Sequence, residues 1–256
     1  MKLSKFSLLC LTAISAAVFT THVNAQSDNK DVQQPSKEQV DQLKAFMNLP
    51  EDVRNDYVQK ANKAKNLFNQ KRLFDTLELI GELDSIYKGH PGITNLKGSC
   101  YVELRAFDKA HAVFSNTLKE FPNDSSILFN LAELAFVQHQ WQSAHDQFSN
   151  LIEKFPNTVK DYIRISEFKL LICNLKLNKI KEAEALRDRY DDWDDSPYFY
   201  MTKAAYHFHH DNKEAAQKEL KTANIIWSNK AALTPWIDTL QEAGYMSSFF
   251  GRSDQE

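Results

Sequence analysis

The chain is poor in glycine, with six in 256 residues, which argues against a fold of tight hairpins and glycine turns. It has no surplus of positive charge. A formal net charge of −3 excludes a protein that works by neutralising phosphates, so no nucleic-acid partner is expected. Beyond the first 25 residues no apolar run approaches the roughly eighteen residues needed to cross a bilayer, so no integral membrane segment is expected there. Glycine-rich phosphate loops, a nucleophile elbow and paired-cysteine zinc spacings are all missing, and no cofactor is implied. What the chain does have is apolar content: 43 % is enough for a sizeable core, in one large domain or in a repeat array.

Residues 1–25 read as a signal peptide. Lys2 and Lys5 give a positive start, Phe6 to Phe19 is an uncharged and mostly apolar run, and Val23-Asn24-Ala25 offers small residues before a cut that leaves Gln26 first. Cys10 lies early in the apolar run, where a lipid-attachment cysteine does not belong. The expected location is therefore periplasmic or secreted. Residues 26–37 (QSDNKDVQQPSK) are polar and read as a disordered tether. An N-terminal helical segment, 38–57, follows. Val40, Leu43, Phe46 and Met47 share one of its sides, and Leu49-Pro50-Glu51-Asp52 breaks and restarts the helix.

The strongest signal is internal. Shifting the sequence by 34 residues places Phe114-Ser115-Asn116 on Phe148-Ser149-Asn150, and Phe121-Pro122-Asn123 on Phe155-Pro156-Asn157. It also places Ala110-His111 on Ala144-His145 and Ile93 on Ile127. These nine identities exceed the roughly two that unrelated chains of average composition give over one such period. Each period reads as two helices. Leu128, Leu131, Ala132 and Ala135 follow helical spacing, Gln138-His139-Gln140 breaks it, and Trp141, Ala144, Phe148 and Ile152 resume it until Pro156. Gly98 with Ala110, and Ala132 with Ala144, supply small residues where two helices cross closely.

This arrangement resembles the tetratricopeptide repeat. Gly98, Tyr101, Ala110, Phe114 and Pro122 match the family pattern in order, and Ala132, Ala144, Phe148 and Pro156 match it again, with Ala135 where an aromatic is expected. The resemblance implies an all-α fold: a right-handed superhelical array of antiparallel helix pairs, an α-solenoid. The repeats run over 58–228, clearest at 91–124 and 125–158, with a C-terminal capping helix over 229–250 that starts at Thr234-Pro235 and a tail over 251–256. Cys100 and Cys173 are 73 residues, about two repeats, apart. Such units seldom touch, so two buried thiols are expected rather than a disulfide.

Two clusters invite a metal reading. On a helix, His207 shares a face with His210 or Asp211, but zinc needs three or four ligands and this stretch ends a helix, where histidine suits the negative terminus. Asp188, Asp191, Asp192, Asp194 and Asp195 lack the central glycine and closing glutamate of a calcium loop and read as a solvated turn between repeats.

The resemblance also implies that first helices line a concave groove. Carried over, the groove holds Asn95, Ser99 and Val102, then Phe129, Glu133 and Phe136, then Phe168, Ile172, Met201 and Phe208. The helix bearing Phe129 and Phe136 is apolar nearly all round and should be buried on both sides. Two things could cover it: a partner segment docking apolar anchors, or the chain itself, through Val40–Met47 or tight curvature. The Lys, Arg and Asn ring by which some family members clamp a terminal carboxylate is missing. The functional expectation is an exported scaffold holding another protein or peptide, for instance in envelope assembly or secretion. The alternative is an enzyme or a metal- or ligand-binding protein framed by the array, with His207–Asp211 as its site.

Overall fold

The computed structural model describes residues 37–156 and 160–247; the expected signal peptide, most of the tether and the tail lie outside them. The described residues form twelve helices and no strand. In chain order these are α1 (Lys37–Met47), α2 (Glu51–Asn69), α3 (Leu73–Ile86), α4 (Pro91–Glu103), α5 (Phe107–Glu120) and α6 (Ser125–Val137). There follow α7 (Trp141–Lys154), α8 (Lys160–Lys176), α9 (Ile180–Arg187), α10 (Tyr198–His209), α11 (Lys213–Ile226) and α12 (Lys230–Glu242). Both bounds of α4 and of α5 reappear 34 residues on as the bounds of α6 and α7, so the sequence period is the structural period. The chain divides into two compact units, one within residues 10–130 and one containing 131–256.

A single turn type marks every pair. Lys71, Arg105, His139, Asn178 and Asp211 each adopt a left-handed conformation, with φ between 56° and 60°. The residue after each of them donates its backbone N–H to a carbonyl five residues back, as in Arg72 to Leu67, Ala106 to Tyr101 and Gln140 to Ala135 at 2.8–2.9 Å. This is the Schellman closure, which satisfies the last carbonyls of the first helix and reverses the chain within three residues. It recurs at Lys179 and Asn212, so the divergent flanking segments α2–α3, α8–α9 and α10–α11 are pairs of the same kind. Glycine usually takes this position. Its absence from all five explains why the pairs cannot be found by looking for glycine.

Within a pair the helices touch where one side chain is missing. Gly98 on α4 faces the fully buried ring of Phe114 on α5, and a Cβ added there would lie 2.6 Å from Cζ and 2.7 Å from Cδ1. Ala110 in the same pair, and Ala132, Ala144, Ala183, Ala204 and Ala216 in the later pairs, are all fully buried. Cys100 and Cys173 are buried thiols and form no disulfide.

One buried side and two boundaries differ from the sequence reading. Of the four apolar residues assigned to one side of the first segment, only Phe46 is buried, among Tyr57, Tyr87 and His90, while Leu43 and Met47 are nearly half exposed. The restart at Pro50 begins a helix that runs unbroken to Asn69, so the first pair opens at Glu51 rather than 58. The last helix begins a turn before Pro235, because the Asn229 side chain accepts the Ala231 N–H (3.0 Å) and caps it there.

Gly98→Ala is expected to cost about 2–3 kcal/mol, since it drives a methyl into a ring with nowhere to go. Denaturant unfolding monitored by circular dichroism measures the loss, and Gly98→Ala with Phe114→Leu should recover part of it.

Candidate partner-binding face

The first helices carry the residues the sequence assigned to a groove, but fold most of them away from solvent. In the unit within 10–130, Asn95 is half-buried and its side-chain oxygen accepts from Asn130. Ser99 is fully buried and donates to the Asn95 carbonyl (2.9 Å), and Val102 and Phe129 are buried too. In the unit containing 131–256, Glu133, Phe136, Phe168, Ile172 and Met201 are at most 1 % exposed, and Phe208 is half-buried. Most of these positions form a buried floor, as the all-round apolar character of the Phe129 and Phe136 helix requires. In the second unit, the unit containing 131–256, the physical reason is visible: α12 lies on the face.

The contacts of α12 are specific. Trp236, 4 % exposed, packs on Phe168 with ring centroids 5.2 Å apart and meets Tyr198 edge-on at 6.3 Å. Just beyond the helix, Tyr245 stacks on Phe208, its hydroxyl lies 3.3 Å from His209 Nδ1, and the Lys176 ammonium sits 4.0 Å above its ring. At the C-terminal end the Glu242 carboxylate reaches Lys169 Nζ (3.2 Å), while the Glu242 carbonyl accepts from His139 Nε2 (2.8 Å). Val40–Met47, weighed from sequence as a cover, packs instead in the other unit, where Tyr87 donates its hydroxyl proton to the Gln42 carbonyl.

Lys169 is the centre of this face. Its side chain is 2 % exposed, and its ammonium bonds Glu133 Oε1 of α6 (2.7 Å) as well as Glu242 of α12, beneath the ring of Phe136 at 4.5 Å. Burial works against the lysine charge, yet the two carboxylates outweigh it and hold its pKa above the ordinary lysine value. Glu133 pays for the same arrangement. Burial raises its pKa first; Lys169 pulls it back and Glu242 pushes it up again, leaving it at about 7. One cation is thus shared between two carboxylates, and one of them ionises near neutrality.

Of these residues the sequence pattern points to Glu133 alone, not to Lys169, Trp236 or Glu242. The signal for Lys169 was present: a lone cation in Phe168-Lys169-Leu170-Leu171-Ile172, three and four residues from Ile172 and Ile165, sits on a core stripe and demands a buried anion. That the anion comes from residue 242 was not legible, because nothing local links the two positions.

The two metal-like clusters are used otherwise. His210 packs on Tyr206 (4.5 Å), His209 faces Tyr245, and Asp211 forms the left-handed turn. Among the described residues no group of three or more His, Cys, Asp or Glu could hold a metal ion. In the acidic run, Asp194 accepts from Arg164 (3.0 and 3.2 Å) and from Ser196, and these bonds hold its pKa below the usual carboxylate value against the opposing effect of burial. Arg164 stacks 3.3 Å over Tyr190, and Glu167 takes Arg189 (2.6 Å), so this turn is tied to α8 by charge.

Glu133 supplies a pH test. Its folded-state pKa lies above the ordinary 4.5, so between about 4.5 and 7 the folded chain holds a proton that the unfolded chain has released. Its contribution to stability is therefore lost as pH rises through that window, on the order of 3 kcal/mol at most. Glu133→Gln should remove this component, seen as a smaller drop in unfolding midpoint between pH 5 and pH 8 than in the unsubstituted chain.

No protein-family model and no curated protein matches the sequence. Solved structures do match the fold. A tetratricopeptide repeat protein from Parabacteroides merdae ATCC 43184 superposes with a TM-score of 0.55 at 16 % identity, covering 80 % of this chain and 84 % of that one. A double mutant of MamA (MamA RS-1 ArsTM) gives 0.52 at 12 % identity, covering 68 % and 96 %. YrrB, described as a tetratricopeptide repeat protein with an unusual peptide-binding site, gives 0.48 at 16 % identity, covering 77 % and 96 %. With five Schellman-closed helix pairs among the described residues and the two likenesses at TM-scores of 0.52 and 0.55, the chain has the tetratricopeptide-repeat fold, an all-α helical repeat array.

Proposed function

We propose that this chain is an exported protein–protein interaction scaffold that holds a helical segment of a partner against the first-helix face of its repeats. The observation that carries the reading is the occupancy of that face in the unit containing 131–256. There the array already holds an amphipathic helix, α12, through one aromatic anchor, Trp236, and one carboxylate, Glu242. A surface able to bury a helix of its own chain by these means has the apolar floor and the charge needed to bury one from another protein. Fold likeness at 12–16 % identity adds the architecture and no partner. Export rests on the residue pattern of 1–25.

Chain isolated from its native envelope by a C-terminal tag is expected to begin at Gln26, read by intact mass, and to co-purify with a protein partner near 1:1. A chain that keeps Met1 and stays in the cytoplasm contradicts export. A chain that remains alone after cross-linking in the native envelope contradicts the scaffold reading.

A further inference from the structure

The contacts that hold α12 divide unevenly. Leu233, Trp236, Leu240 and Ala243 supply apolar burial, while the end of the helix is fixed by an ion pair inside the protein. A buried ion pair is a weak source of net stability. Each charge gives up its hydration to enter, and recovers it on leaving. A helix held partly in this way separates more readily than one held by apolar packing alone. The link to α11 is short, Trp227–Asn229, and non-helical, so α12 can leave without unwinding its neighbour.

Lys169 also loses less than it would in a simple pair. When Glu242 departs, Glu133 remains at 2.7 Å from the ammonium. The face then keeps a neutral pair and not an orphaned cation. Glu133 and Glu242 compete for a single positive charge, and that competition makes the exposed face tolerable once α12 has gone.

Resting on the scaffold reading above, we propose that α12 is a built-in, displaceable occupant of the partner site, and that the partner's segment is an amphipathic helix with a bulky aromatic and, six residues towards its C-terminus, a carboxylate. The spacing is that of Trp236 and Glu242, and the two features answer Phe168 and Lys169. Free chain is thereby kept from exposing Phe168 to water, and the partner must match the charge as well as the apolar pattern. Displacement is favoured as Glu133 ionises. The charged and titratable groups around it are Lys169 and Cys173 of α8, Glu242 of α12 and, in the α6–α7 turn, His139, which faces the Glu242 carbonyl. With Glu133 neutral, Lys169 relies on its contact with Glu242 and α12 stays; with Glu133 ionised, that contact is dispensable.

Native-state hydrogen exchange on the full chain tests this directly. Amides of Leu233–Glu242 are expected to exchange at least 100-fold faster than those in the middle of α6 and α8, and the gap should widen from pH 6 to pH 8 but not in Glu133→Gln. A fluorescein-labelled peptide of residues 229–247 should bind full chain carrying Trp236→Ala and Glu242→Gln at least tenfold more tightly than unsubstituted chain. The same peptide with its own Trp→Ala and Glu→Gln changes should not bind. Exchange of α12 only with global unfolding overturns the proposal, as does the absence of peptide binding to either chain. So does opening that rises with protein concentration together with a dimer, which would make a second copy the occupant. Exchange limited to global unfolding would leave a partner site elsewhere on the scaffold intact, whereas a chain with no partner in its envelope would sink the scaffold reading without altering the exchange of α12.

Discussion

A single ammonium group organises the unit containing 131–256. Lys169 sits in a helix that is otherwise apolar on that stripe, and it cannot be buried without anions. One anion comes from Glu133 on the first helix of the preceding pair, the other from Glu242 at the end of the last helix. Satisfying one charge therefore fixes the register of three helices far apart in sequence. The ion pair at Glu242 and the Trp236 ring on Phe168 hold α12 at two points along its length. The same arrangement leaves three charges in a dry site, one positive and two negative, and this accounts for the raised pKa of Glu133.

Around that centre the architecture is repetitive and locally encoded. Each pair closes with one left-handed residue and the same backbone bond, and after the first pair the helices carry buried residues without bulk, glycine at 98 and alanine elsewhere. Because these features lie within some 34 residues of each other, they could be read from the sequence. The period, the closing prolines, the small crossing residues and the Phe114 and Phe148 anchors all pointed to antiparallel pairs, and the pairs are where the period puts them. The flanking pairs were harder to read because Leu77 replaces the crossing alanine in the first and the connection around Asp188–Ser196 lengthens the fourth. Their shared turn is a backbone feature carried by five different residue types, and so leaves no pattern in the sequence.

The face was legible in part. The resemblance to the tetratricopeptide pattern assigns Phe129, Glu133, Phe136, Phe168 and Ile172 to the first-helix face, and the all-round apolar character of α6 requires cover on both sides. What covers it depends on contacts between positions 73 and 103 residues apart, Lys169 with Glu242 and His139 with Glu242. Neither helical spacing nor repeat alignment carries that information. A helix that caps the end of an array and a helix that lies on its face have the same amphipathic pattern, and the contacts of Trp236 and Glu242 distinguish them.

The account stands on Lys169 being held jointly by α6 and α12. A thermodynamic cycle in the full chain, unfolding Lys169→Met, Glu133→Gln with Glu242→Gln, and all three changes together, measures that coupling most directly. Lys169→Met alone is expected to lose about 3–5 kcal/mol by leaving buried carboxylates without their cation, and the triple variant to recover most of it. Losses that simply add, with no coupling between Lys169 and the two glutamates, would contradict the account.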